Sequence, residues 1–233
     1  MNNFSNDLIL IGATGRLGTS ILKTNTISYG ISSKENPLIG KKIDCLLNPL
    51  LGSLDEIPIK KLKQPTLIDA SYPENFERIC NFCSLHKVPL VLASTGHSKE
   101  QIQDLNNLSK KIPILLAPNL SRGIAFFKIK LLMPITDDIK KNLLENPKQR
   151  FSVNIIETHH EKKKDSPSGT ALDLKRFIET QLNNQVDLKI NSIRDKSSVG
   201  KHEVIFSLNN EEIIITHNAL NRNIFGEGAK YSR

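Results

Sequence analysis

Residues 157–174 read ETHHEKKKDSPSGTALDL, and this short stretch gathers most of the side chains able to handle a charged small molecule. His159 and His160 are adjacent, lysines follow at positions 162–164, and Ser168-Gly169-Thr170 opens an apolar-periodic run. Imidazoles crowded against ammonium groups disfavour one another's charged forms, so the cluster makes sense around an anion. A strand through residues 151–157 predicts a loop over 158–167 and a helix beginning at Ser168. Ser168, Gly169 and Thr170 then supply backbone amides and two hydroxyls at a helix N-terminus, which is an anion site. Gly169 permits close approach of a ligand. Lys163 adds a full charge, and His159 or His160 can supply a proton near neutral pH. A metal is not expected here. Neighbouring side chains on an extended segment point oppositely, and the i, i+4 spacing of a helical His pair is absent.

A second chemical signal lies near the start. The apolar run at 8–11 leads straight into GATGRLG, where Gly12, Gly15 and Gly18 form a G-x-x-G-x-x-G variant of the dinucleotide fingerprint. That pattern serves a tight strand-to-helix turn, backbone close to a pyrophosphate, and amides at the start of a helix. In such folds an acid after the second strand holds an adenosine ribose hydroxyl. Here Ser32, Ser33 and Lys34 occupy that place, and Glu35 follows Lys34 without replacing it. A lysine flanked by serines suits a 2′-phosphate, which favours NADPH over NADH.

Elements must position these groups. Strands are expected at 8–11, 42–47, 65–70, 89–93 and 112–116, with helices at 75–86 and 98–109 between them. That alternation predicts a parallel sheet with helices on both faces, and a ligand outside the carboxyl ends of its strands. The loops DASYP, ASTGHS and APNLSRG leave those ends. After residue 123 the pattern changes. Residues 125–135 suit a helix that Pro134 must end or kink. A strand is expected over 149–158, then a helix over 171–182 with Leu172, Leu174, Phe177 and Ile178 inward. Strands follow at 188–193, 201–208 and 211–217, the last two joined by a turn at Asn209-Asn210. The fold class is therefore α/β: a Rossmann-like dinucleotide domain (1–122), then an α+β substrate domain with a mainly antiparallel open sheet (123–220). A last segment (221–233) returns toward the nucleotide domain.

Bulk composition agrees. A chain of 233 residues with 38% hydrophobic and 24% charged content has the makeup of a folded globular protein. Its apolar runs are too short to span a bilayer, and no basic region precedes the first of them, so neither membrane nor secretory signal is expected. The net charge of +8 favours anionic partners. With no Trp and three Tyr, the chain offers no base-stacking platform, so nucleic acid is not expected. Cys45, Cys80 and Cys83 make an odd count, and Cys80 and Cys83 read as helix-buried thiols of a reducing cytoplasm.

HHEKKKDSPSGTAL resembles the H-H-x-x-K-x-D-x-P-S-G-T-A signature of the dihydrodipicolinate reductase family. GATGRLG resembles that family's G-A-x-G-R-M-G, LASTGHS its G-T-T-G-F/Y-S loop, and APNLSRG its A-x-N-F-S-x-G. SIRDKSSVGKHEVIF and ITHNALNRNIFGEGA resemble its S-x-R-x-G-x-x-G-x-H and I-T-H-x-A-x-x-R-x-x-F-x-x-G-A stretches, all in family order. The resemblance implies NAD(P)H-dependent reduction of a cyclic dicarboxylate in lysine and meso-diaminopimelate biosynthesis, by a cytoplasmic homotetramer assembled through the second domain. It implies His159 as proton donor with Lys163 as companion cation, and His160, Lys163, Ser168, Gly169 and Thr170 as the substrate site. For the cofactor it implies Gly12, Ala13, Thr14, Gly15, Arg16 and Leu17 at the pyrophosphate and Lys34 at the ribose. Ala93, Ser94, Thr95, Pro118, Asn119 and Leu120 would flank the nicotinamide. The chain departs from the pattern at Lys196, where the family has glycine, at Ala93, Ser94, Pro118 and Leu120 in the cofactor loops, and at Arg122. A reductase of another carboxylate, or a nucleotide-binding protein without catalysis, are the alternative readings.

Overall fold

The computed structural model describes residues 6–146, 151–183 and 185–232. The chain divides into two compact units, Met1–Leu120 with Asn223–Arg233, and Ser121–Arg222.

In the first unit, strands β1 (Leu8–Ile11), β2 (Tyr29–Ile31), β3 (Thr66–Asp69), β4 (Leu90–Leu92) and β5 (Ile114–Leu116) form one sheet. Its order is β2-β1-β3-β4-β5, and every pairing is parallel. Helices α1 (Arg16–Leu22), α2 (Phe76–His86) and α3 (Lys99–Leu108) connect them. A parallel sheet covered on both faces needs apolar side chains on both, and all residues of β1 and β3 are buried. Pleat alternation sorts them into two cores. Ile9, Ile11, Leu67, Leu90 and Leu92 pack with Phe76 and Ile79 of α2 and Leu105 of α3. Leu8, Leu10, Ile68 and Val91 pack with Ile21 and Leu22 of α1. Ser98 caps α3 in a reciprocal box, accepting from the Gln101 amide while Gln101 Oε1 accepts from the Ser98 amide.

Two expectations fail in this unit. Residues 42–47 are not a strand: Cys45 turns to φ +68, and only Leu46 makes an isolated bridge, to Ile27. A left-handed residue breaks the extended path, and Leu46 goes into the core while Leu47 faces solvent. Helix α7 (Asn223–Ala229) had no counterpart in the sequence reading. It packs on α1, where Asn25 Nδ2 donates to the Gly226 carbonyl at 2.8 Å and Ala229 is fully buried.

In the second unit, β6 (Phe151–His160), β7 (Asp187–Asp195), β8 (Gly200–Leu208) and β9 (Glu211–Ala219) form a sheet of order β7-β6-β8-β9. The β6–β7 pair is parallel and the others antiparallel. Asn209-Asn210 closes the β8–β9 hairpin, with Asn209 at φ +53. One sheet face packs Val153, Ile155, Val204 and Phe206 against Ala171, Leu174 and Ile178 of α6 (Gly169–Gln181). Leu172 was expected inward and is exposed instead. Ala171, Leu174 and Ile178 already define the buried stripe at helical spacing, and the position next to Ala171 points away from it.

Pro134 neither ends nor breaks its helix. Helix α4 (Arg122–Phe126) runs into a π turn (Phe127–Leu132) and then α5 (Met133–Glu145), with Pro134 in the first turn of α5. Met133 N–H bonds five residues back, to Lys128 O. Pro134 has no N–H for an ordinary bond to Lys130, and the wider turn just before it removes that need. Positions 149 and 150 of the expected strand lie outside the described residues.

Candidate active site

Alternation along β6 buries Val153, Ile155, Glu157 and His159 on the face that meets α6. A carboxylate and an imidazole two residues apart on one strand face are neighbours, and His159 Nδ1–H donates to Glu157 Oε2 in a very close contact. The other oxygen, Oε1, accepts from Arg194 at 3.0 Å. Arg194, on β7, also donates at 2.7 Å to the Asp165 carbonyl, in the loop that carries Lys163. His202, from β8, stands edge-on to His159 with ring centroids 5.2 Å apart, and its Nε2 lies 3.4 Å from Ser168 Oγ. Ser168 is itself buried and caps α6 by accepting from the Ala171 amide at 3.2 Å.

The charges follow from this packing. Burial lowers the pKa of His159 below the ordinary histidine value; Lys163 and Arg194 lower it further, while Glu157 pulls it back up. Burial presses His202 down to about 3, so it is neutral under all ordinary conditions. For Glu157 burial favours the neutral acid, but hydrogen bonds from Ser192, Arg194 and His159 outweigh it and keep the carboxyl below its usual value.

Of the substrate-site residues in the sequence reading, Lys163, Ser168, Gly169 and Thr170 fall around this centre and His160 does not, because strand alternation turns it to the opposite face from His159. Lys163 Nζ donates to both Asp165 oxygens, at 2.8 and 2.9 Å. Asp165 also receives the backbone N–H of Gly169, and its pKa is lowered because these bonds outweigh burial. An exposed carboxylate, that of Asp165, thus sits between the Lys163 ammonium and the first amide of α6. Thr170 is buried in the same first turn of α6. His160, one residue on from His159, points to the other sheet face, where its Nε2 accepts from Arg222 at 2.7 Å. Glu157, Arg194, His202 and Arg222 were missed as site residues. Period-two alternation alone pairs Glu157 with His159; the other three come from distant segments. Lys196, where the family pattern has glycine, lies in a turn held by Asp195 Oδ1, which accepts from the amides of Ser197 and Ser198, so no positive φ is needed.

Glu157, His159 and His202 bring one ligand atom each within 4.8 Å of one another, the composition of a zinc set. Arg194 already neutralises Glu157, and Lys163 adds further positive charge near His159. That positive charge works against a dication, and the contact between Glu157 and His159 is instead a hydrogen bond.

In the first unit, the predicted cofactor loops all leave the carboxyl ends of parallel strands. Gly12, at φ +76, and Ala13 both donate to the Ile31 carbonyl. A Cβ on Gly18 would lie 2.1 Å from Gly12 O, so this glycine lets α1 approach the turn. Thr14 Oγ1 lies 2.7 Å from Ser32 Oγ, and Asn36 Nδ2 donates to both, tying the loop to the end of β2. Gly15, Arg16 and Lys34 are exposed, and Leu17 is half-buried. Ala13, Ala93 and Leu120 point their side chains into the core, leaving backbone to face a ligand. Ser94 is buried, bonded to Asp69 and at 3.0 Å to His97; Thr95 is exposed, and Pro118 and Asn119 are half-buried. The Gly12–Gly18 cradle fits a dinucleotide.

A glycine-cradled parallel sheet in one unit and a buried histidine–carboxylate centre with a carboxylate seat in the other define a two-domain, dinucleotide-dependent reductase. Residues 6–120 match the model for the N-terminus of dihydrodipicolinate reductase, and residues 129–232 match that for its C-terminus. The chain belongs to the dihydrodipicolinate reductase family. It is 32% identical over 259 residues to the 4-hydroxy-tetrahydrodipicolinate reductase of Buchnera aphidicola subsp. Cinara cedri, covering 95% of this chain and 88% of that one. The enzyme of the same name from Clostridium tetani is 35% identical over 237 residues, with 95% and 88% covered. Among solved structures, the dipicolinate-bound dihydrodipicolinate reductase from Paenisporosarcina sp. TG-14 matches with a TM-score of 0.70 at 19% identity, covering 97% of this chain and 92% of that one. Aspartate dehydrogenase from Thermotoga maritima shares the fold with a TM-score of 0.55 at 11% identity, with 97% and 94% covered. Among the described residues no helix is long and apolar enough to cross a membrane.

Proposed function

We propose that the protein is a 4-hydroxy-tetrahydrodipicolinate reductase that prefers NADPH, works in the cytoplasm in lysine and meso-diaminopimelate biosynthesis, and assembles as a homotetramer through the sheet of its second unit. The observation that carries the reading is the carboxylate held by Lys163 and the Gly169 amide beside the buried His159–Glu157 pair. A substrate carboxylate takes the place of the exposed Asp165 side chain there. Ser168 and Thr170 add polar contacts for the dicarboxylate. The reduced nicotinamide, when bound, supplies hydride to C4 of the substrate ring. His159, charged as imidazolium, gives a proton from Nε2, since Nδ1 is engaged by Glu157. The 4-hydroxyl leaves as water, and the product is tetrahydrodipicolinate.

NADPH preference rests on Lys34, exposed just beyond β2 among Ser32 and Ser33, where a 2′-phosphate lies in this class of fold. The cytoplasm is where reduced nicotinamide for biosynthesis is supplied. The test follows oxidation of NADPH and of NADH by absorbance, with the substrate generated enzymatically. Substrate-dependent oxidation is expected with both, faster with NADPH, and Lys34→Ala should weaken NADPH binding roughly tenfold while leaving NADH unchanged. Oxidation with neither cofactor would overturn the activity; equal effects of Lys34→Ala on both would overturn the assignment of Lys34.

A further inference from the structure

We propose that Glu157 and Arg194 are positioning residues of the reaction: Arg194 fixes the Glu157 carboxylate, and that carboxylate fixes the tautomer and orientation of His159. The inference rests on the reading of His159 as the proton donor. Its basis is a continuous chain of contacts from β7 to the imidazole. Arg194 donates to Glu157 Oε1 at 3.0 Å, and Oε2 of the same fully buried carboxylate takes the Nδ1–H of His159. With Nδ1 protonated and held, Nε2 is the atom left to exchange a proton. The ring lies against Gly200, where a Cβ would come within 3.0 Å of Nε2 and only glycine leaves it room, and His202 closes its flank. The second Arg194 amine, bonded to the Asp165 carbonyl, ties the Lys163 loop to the same carboxylate. One guanidinium therefore sets both the proton donor and the strand exit that carries its companion cation.

Charge gives the carboxylate a second effect. The groups facing His159 are Glu157 on its own strand, Lys163 and Asp165 in the loop, Arg194 and Asp195 on β7, and neutral His202 on β8. Of these Glu157 is in contact and anionic, so it favours the imidazolium that must form before a proton can be given. A neutral amide at position 157 keeps the acceptor oxygen and removes that support. The pH below which turnover is high must then move down.

The experiment measures kcat and KM against pH for the wild type, Glu157→Gln and Arg194→Lys, with NADPH affinity by fluorescence and the His159 ring nitrogens by 15N NMR. The NMR needs no substrate. Glu157→Gln is expected to lower kcat roughly 100-fold with KM and NADPH affinity little changed, and to shift the limb to lower pH. Arg194→Lys, which retains a cation, should keep the wild-type limb with a smaller loss of kcat. The wild-type spectrum should show Nδ1 protonated, and Glu157→Gln should weaken that bias. Turnover with an unmoved limb and an unchanged tautomer in Glu157→Gln would overturn the positioning role alone. Absence of turnover in the wild type, with the tautomer as expected, would instead remove the proton-donor reading. If Glu157→Gln does not fold, a wild-type spectrum with Nε2 protonated and Nδ1 bare overturns the proposal by itself.

Discussion

His202 shows how the site treats a titratable group it does not use as an acid. It is buried between His159 and Ser168, and burial presses its pKa to about 3. An unfolded chain protonates the same histidine near its ordinary value of 6.5. The unfolded state therefore binds the proton first as pH falls, and stability is lost between about 6.5 and about 3. The expected slope is about 1.4 kcal/mol per pH unit in that window. Urea unfolding at pH 7 and pH 5 should show His202→Asn losing less stability than the wild type over that step; equal losses would contradict the account. At this scale His159, Lys163 and Ser168 were legible because their partners lie within ten residues of one another in sequence. Arg194 reaches Glu157 across 37 residues and His202 reaches Ser168 across 34, so both needed the sheet register to be found.

Among elements, the strand–turn–helix of β1 and α1 was legible from three glycines, and its geometry explains why. The Gly18 Cα lies so close to the turn that a methyl would meet Gly12 O at 2.1 Å and Ala13 O at 2.8 Å, both rigid backbone. Gly18→Ala must push α1 away and is expected to cost roughly 1–3 kcal/mol, with weakened NADPH binding. Denaturant midpoints and a fluorescence titration check this; wild-type values in both would refute it. Elements were misread where a single residue overrode a pattern. Apolar spacing at 42–47 suggested a strand, and the left-handed Cys45 prevented it. Pro134 suggested a helix end or a kink, and the π turn before it carried the helix through. Helix α7 carries two glycines, Gly226 and Gly228, which suppress helix propensity; Gly226 is there because a Cβ would lie 2.2 Å from the Ser20 carbonyl.

At the scale of the whole second unit, the sheet packs one face against α6, and among the described residues its other face carries exposed apolar side chains. Ile193 on β7 and Ile214 on β9 are exposed on that outer face, level with half-buried Ile156 and Ile205. Apolar side chains on a broad sheet face suit the tetramer proposed above. Sedimentation should give a tetramer for the wild type and smaller species for Ile214→Lys; a tetramer from both would place the contact elsewhere. The broad architecture was legible because alternating strands and helices, followed by strand-rich sequence, allow few arrangements. The central claim concerns the second unit, that its carboxylate seat and buried histidine reduce a cyclic dicarboxylate. The most direct measurement is the turnover of Lys163→Ala beside its NADPH affinity. Lysine removal should lower kcat/KM for 4-hydroxy-tetrahydrodipicolinate by roughly 100-fold or more while NADPH binds as in the wild type. Turnover retained within a few-fold, or lost in parallel with NADPH affinity, would contradict the account.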